Sequence, residues 1–156
     1  MQGFLVVVSC GDQKIWRRYP DAGPTLAQDA YTSSLFTKSR RYAERFGERW
    51  LILSAKYGFI EPDFTIPGNY NVSFYDPEAI SNAELKAQVL SKRLDQFKTV
   101  GVLGSEMYWR HVVGACDGSP VALRHVNGNV SFPASFHRLI NKLIADDTPF
   151  REEAQE

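Results

Sequence analysis

Three short runs of the chain carry no polar side chain at any position: Phe4 to Val8, Trp50 to Leu53 and Val100 to Leu103. A strand with one face in water alternates apolar and polar residues, so unbroken runs rich in branched aliphatics belong to strands covered on both faces. Between them lie segments of helical period, and strands alternating with helices imply right-handed crossovers and a mainly parallel sheet. Val121 to His125 is a fourth strand, placed nearer an edge. The sequence thus predicts an α/β fold: a single three-layer domain with a mainly parallel sheet of about four strands and flanking helices.

Local signals set the boundaries. A hydroxyl cap at Ser33 or Ser34 opens a helix with Leu35, Phe36, Ser39, Tyr42, Ala43 and Phe46 on one face, and Gly47 is expected to end it as a left-handed residue. Ser81 and Glu84 have capping-box spacing for a helix running to Phe97. Gly104-Ser105-Glu106 opens a helix to about Ala115, Asn127-Gly128 signals a turn, and Pro133 starts a last helix to Ala145. Cys10 to Pro24 reads as a long loop, and no regular element is expected from Ala55 to Pro77. Residues 1–146 form the one domain, with a polar tail, 147–156, expected to fray.

The 156 residues suffice for a core without staples. Formal net charge is zero, which argues against binding by broad phosphate neutralisation and leaves only local basic patches. One such run is Lys38, Arg40, Arg41, Arg45 and Arg49, interleaved with Glu44 and Glu48, and it fits a solvated helix face equally well. Cys10 and Cys116 belong to no C-x-x-C pair, so neither a zinc site nor a disulfide framework is expected, and a reducing cytoplasm fits. No metal and no cofactor is expected. The apolar opening stops at Ser9, too short for a membrane span, so no membrane partner is expected. Oligomeric state stays open.

In open parallel sheets ligands bind beyond the carboxyl ends of the strands, near a switch in strand order. Those ends here are Ser9-Cys10-Gly11 with Lys14 behind, Ser54-Ala55-Lys56-Tyr57-Gly58, Gly104-Ser105-Glu106, and the region of His125 and Asn127. Three of the four pair a glycine with a hydroxyl, which suits an anion or polar heterocycle. Cys10 is either a small buried residue or a thiol activated by Lys14. Lys56 can hold a phosphate or sit on the surface, and Glu106 can bond a base edge or merely complement a helix dipole. Asp29, Glu61 and Asp63 are carboxylates in irregular sequence, one of which can activate water if burial raises its pKa. Tyr57, Phe59, Tyr70 and Phe74 either stack on a base or tuck their loop against the domain. His125 reads as a satisfied core or edge histidine.

Ser9-Cys10-Gly11-x-x-Lys14, Asp29-x-Tyr31-Thr32-Ser33-x-Leu35-Phe36 and Ile52-Leu53-Ser54-Ala55-Lys56-Tyr57-Gly58-x-Ile60-x-Pro62-Asp63 resemble, in order and spacing, a bacterial, archaeal and phage family of unknown function. More distantly, Ile52 to Pro62 and Leu103-Gly104-Ser105-Glu106-Met107-Tyr108 resemble the YaaA peroxide-stress family. That likeness implies DNA binding and protection from oxidative damage. Related domains in enzymes that modify 7-deazaguanine bases in tRNA look like the uracil-DNA glycosylase fold, an analogy that does not fix function. Two departures stand out. Asp12-Gln13 fill a gap where the first family has a second basic residue, and Asn71 stands where it has Asp.

The resemblance and the junctions together imply an enzyme that handles the base of a nucleic acid or nucleotide, one with a modified base included, by cleaving or exchanging an N-glycosidic bond. In this expectation Asp63 or Asp29 positions water and Lys56 and Lys14 supply charge. Glu106, Ser9 and Ser105 bond the base, and Tyr57 or Tyr70 stacks on it. Cys10, Gly11, Ser54 and Gly58 complete the binding set. The rivals are a non-catalytic DNA-binding stress or phage-defence protein that uses the basic helix, and thiol chemistry at Cys10.

Overall fold

The computed structural model describes residues 2–128, 130 and 133–150. In chain order the elements are β1 (Gln2–Ser9), α1 (Ile15–Arg18), β2 (Thr25–Leu26), α2 (Ala27–Ala30), α3 (Ser34–Phe46), β3 (Arg49–Ser54), β4 (Gly58–Ile60) and β5 (Thr65–Ile66). Then come α4 (Asn82–Ser91), a 3-10 turn at Leu94–Gln96, β6 (Phe97–Leu103), α5 (Glu106–Ala115), β7 (Ala122–His125) and α6 (Ala134–Ala145).

The three unbroken apolar runs lie in β1, β3 and β6, the central strands of a five-stranded sheet ordered β4-β3-β1-β6-β7. Successive side chains of a strand point to opposite faces, and β1 shows the consequence. Val6 and Val8 enter a core with Phe36, Tyr42 and Ala43 of α3 and Phe136, Ile140 and Leu143 of α6. Leu5 and Val7 enter another with Leu85 and Val89 of α4 and Val112 and Ala115 of α5. All four β1 side chains have no exposure, worth about 1.5–3 kcal/mol each in water-exclusion terms. The three-layer α/β arrangement holds.

Right-handed crossovers explain which helix lies where. The chain steps from β1 to β3 in one direction through α3, then past β1 to β6 and on to β7 in the other through α4 and α5. Reversing direction reverses the face. The reversal falls between β1 and β6, and the helices diverge there to leave a crevice at the carboxyl ends.

Several expectations need correction. The sheet has a fifth strand: β4 folds back antiparallel on β3, with Ile52 opposite Ile60 and Ser54 opposite Gly58. With β5 it lies in the stretch expected to lack regular structure. Ser54 Oγ accepts the backbone N–H groups of Lys56 and Tyr57, each at 3.2 Å, and so shapes the reversal. Gly58 follows at φ +77°, where an added Cβ would stand 2.2 Å from Gln88 Oε1. Gln88 then takes the place of a neighbouring strand: its Oε1 accepts from Phe59 N at 2.8 Å and its Nε2 donates to Tyr57 O at 3.0 Å. A three-residue strand held by a helix side chain has no periodic signature.

Within the expected loop from Cys10 to Pro24 lies the short helix α1. Helix α4 ends at Ser91, not Phe97; Arg93 is left-handed at φ 59°, and Phe97 begins β6. Gly47 is not left-handed (φ −80°, ψ 136°). It is small because a Cβ would meet Ala43 O and Arg49 O at 2.9 Å and Val6 Cγ2 at 3.1 Å. Residues 147–150 lie against the domain: Tyr42 Oη donates to Pro149 O at 2.5 Å, and Phe150 packs edge-on to Phe4 and under Arg124. The expectation of fraying for 151–156 lies outside the described residues. The Ser33 cap and the Ser81–Glu84 capping box form as read.

Candidate functional site

A cavity of about 380 Å³ fills the crevice at the switch point. The loop after β1 supplies Ser9, Cys10, Gly11, Asp12 and Gln13; the start of α3 supplies Ser33, Leu35, Phe36 and Ser39; the β6–α5 junction supplies Gly104, Ser105 and Tyr108. Phe136 of α6 closes the apolar side. Ligand sites of ordinary size span roughly 300–1,000 Å³.

Its floor is a neutral polar pair. Cys10 Sγ and Tyr108 Oη lie 3.3 Å apart. Burial pushes the Cys10 thiol up from its ordinary value, outweighing the downward pull of the Tyr108 hydrogen bond, an Ala55 backbone bond and the Lys14 charge. Burial likewise raises the Tyr108 phenol. A thiolate nucleophile is thus disfavoured at Cys10, and the pair stays protonated as hydrogen-bonding groups.

Gly11 and Gly104 line the cavity and also allow close packing around it. An added Cβ on Gly11 would come within 3.0 Å of Ser33 Oγ, and one on Gly104 within 3.0 Å of Ser9. They let the β1 loop approach α3, and the end of β6 approach the end of β1. Gly104 is fixed from behind by Asn127, which is fully buried. Asn127 Oδ1 accepts from Gly104 N at 2.9 Å, and Nδ2 donates to Gly104 O at 2.8 Å. His125 Nε2 is 2.8 Å from the same carbonyl and therefore carries the proton; its ring stacks on Trp109. His125 is the satisfied edge histidine of the sequence reading.

Among the expected site residues, Ser9, Cys10, Gly11 and Ser105 line the cavity. Ser54, Tyr57, Gly58 and Tyr70 form a second cluster at the same rim, behind Cys10, whose N–H donates to Leu53 O at 3.1 Å. In it Tyr70 Oη shares hydrogen bonds with Ser54 Oγ (2.8 Å) and with Tyr31 Oη. Burial drives both phenols upward. Lys14 and Lys56 place their ammonium groups 4.5 and 5.5 Å from the Tyr70 ring centre. The three strand ends do share one rim, as parallel neighbours must, with Ser9 beside Leu53 and Val8 beside Leu103.

The expected catalytic carboxylates stand elsewhere. Asp29 is exposed and 3.7 Å from Arg40, Asp63 is exposed in a turn, and Glu106 pairs with Arg110 at 3.1 Å along α5. Lys56 is exposed beside Tyr57. The carboxylate that lines the cavity is Asp12, which sequence reasoning noted only as a departure from a pattern. Tyr108 was also missed, although it lies three residues beyond Ser105, one turn along the same helix face.

The basic run of α3 and the first residue of β3 is largely engaged. Lys38 bonds Asn141 at 2.6 Å, Arg40 bonds Glu44 and the Gln28 carbonyl, Arg45 pairs with Asp147, and Arg49 pairs with Glu61 and bonds the Lys92 carbonyl. Among the described residues no group of three or more His, Cys, Asp or Glu side chains is placed to hold a metal, and no helix is long and apolar enough to cross a membrane.

A doubly wound α/β domain with one built crevice at its switch point is the class that fold and site define. Within that class, the model of the family of unknown function DUF6884 matches residues 5–125, and the chain belongs to that family. It is 37% identical over 142 residues to the uncharacterized protein YfjM of Bacillus subtilis (strain 168), covering 90% of this chain and 89% of that protein. No solved structure gives a significant match.

Proposed function

We propose that the chain is an enzyme that seats the base of a nucleotide or nucleic acid in the β1/β6 crevice and cleaves or exchanges its N-glycosidic bond. One observation carries the reading: Asp12 lines the same cavity as the protonated Cys10–Tyr108 pair, between the helix starts at Ser33 and Ser105. Breaking the bond develops positive charge on the sugar and negative charge on the departing base. Asp12 supports the first and orients water; the Tyr108 hydroxyl donates toward the second. Ser9 and Ser105 offer hydroxyls to the base edge. The Ser105 side chain makes no capping bond to its own helix, which leaves it available. Leu35, Phe36 and Phe136 form the apolar wall against the base.

The test is mass spectrometry for free base after incubation with modified and unmodified nucleotides, DNA and RNA. Wild type is expected to release a base, and Asp12→Asn to do so at least about 100-fold more slowly with unchanged melting temperature. Equal rates in both, or no release from any substrate class, would refute the assignment. The DNA-binding alternative would draw on the basic run, of which Arg40, Arg45 and Arg49 are paired with carboxylates while Arg41 is exposed.

A further inference from the structure

Lys14 is only 9% exposed. Among the described residues its ammonium has neither a hydrogen-bond acceptor nor a carboxylate at salt-bridge distance; its contact is the face of Tyr70. The stem is enclosed, but the nitrogen keeps access to solvent, since among the described residues no buried side-chain nitrogen or oxygen lacks a partner; the ammonium is therefore open to an anion. The acidic groups around it do not serve, since burial holds Cys10, Tyr31 and Tyr70 in their protonated forms. A second ammonium, that of Lys56, approaches the same ring.

Lys14 also lines an open cleft of about 680 Å³ with Arg17, Arg18, Tyr19 and Thr32. No carboxylate lines it, and neither arginine has a carboxylate partner among the described residues; Arg18 lies over the Tyr19 ring. Asp21 borders an adjoining cleft that shares Ile15, Arg18 and Tyr19 with this one, and it forms no ion pair with either arginine among the described residues. The contrast with the basic run of α3 and the start of β3 is direct: there Arg40, Arg45 and Arg49 each face a carboxylate. Gln13 borders both the cleft and the switch-point cavity, so the two adjoin.

We propose that this cleft binds a phosphate group of the substrate, with the Lys14 ammonium as the anchor and Arg17 and Arg18 closing on its oxygens. Guanidinium groups match phosphate in charge and in paired N–H geometry. The inference rests on the base-handling reading only for the rest of the ligand, which makes the phosphate that of a nucleotide, free or within a strand.

Isothermal titration at low ionic strength tests it with four probes: pyrophosphate, a nucleoside, its 5′-monophosphate and a short single-stranded oligonucleotide. The proteins are wild type, the exposed double variant Arg17→Gln/Arg18→Gln, and Lys14→Met, which keeps the buried stem. Pyrophosphate and monophosphate binding should weaken at least tenfold in both variants, while nucleoside binding stays unchanged. An oligonucleotide that loses affinity with salt more steeply than the monophosphate identifies a strand; equal slopes identify a free nucleotide. Failure of pyrophosphate to bind wild type, or equal binding by folded variants, overturns the cleft. Pyrophosphate binding lost in the variants, with no contribution from any base, upholds the cleft and removes the base-handling reading. Nucleoside binding to which phosphate adds nothing does the reverse.

Discussion

Asn127 commits both ends of its amide to the backbone of Gly104 and has no exposure. It fixes the junction from which Ser105 and Tyr108 reach the cavity. Replacing it with Ala leaves a buried N–H short of its acceptor and weakens the hold on the carbonyl, at about 1–3 kcal/mol per orphaned group. Asn127→Ala should lower stability by roughly 2–3 kcal/mol in urea titration, and also slow any base release, since Tyr108 moves with the junction. Asn127-Gly128 was legible as a turn, and Gly128 does sit at φ 52°. The clamp was not legible, because its partner lies 23 residues away. Asp12 shows the same limit. Nothing about an Asp in a loop says that it faces a tyrosine almost a hundred positions later.

At the level of elements, capped and periodic helices were legible, since a cap is a bond between residues three apart: Ser33 with Phe36, Ser81 with Glu84. Terminations that depend on a third element were not. Gly47 ends α3 in extended backbone, pressed between Ala43 O, Arg49 O and Val6. Gly47→Ala and Gly47→Asn should therefore destabilise alike, by about 1–3 kcal/mol from overpacking. A left-handed cap would instead tolerate Asn, so comparing the two urea midpoints decides between the accounts. The β4 hairpin depends likewise on Gln88 from α4. Gln88→Ala should expose the Phe59 amide to faster hydrogen exchange while the central strands keep their protection.

For the molecule as a whole, burial of acidic groups sets a pH limit. Tyr31, Tyr42, Tyr70 and Tyr108 are raised above the ordinary phenol value of 10, and Cys10 and Cys116 above the thiol value of 9, with Cys116 pushed up to about 11. Burial is the leading cause for each. Above those ordinary values the unfolded chain releases protons that the folded chain retains, so stability falls as pH rises. The urea midpoint should hold level from about pH 7 to 8.5 and decline from about pH 9 upward. Tyr42→Phe should soften the decline, at a cost of about 1 kcal/mol for the lost bond to Pro149. A midpoint that rises between pH 9 and 11 would contradict the assigned directions.

The layered α/β class, the parallel central strands and the rim on which reactive residues gather were determined by the sequence alone. The reason is that a doubly buried strand, a capped helix and a right-handed crossover are each dictated by local chemistry or by chirality. Tertiary structure alone decided the strand order, the fifth strand, which carboxylate enters the crevice and which lysine comes to lie against the Tyr70 ring beside it. Those outcomes depend on contacts between residues far apart in the chain, and no local pattern encodes which distant neighbour a side chain will meet.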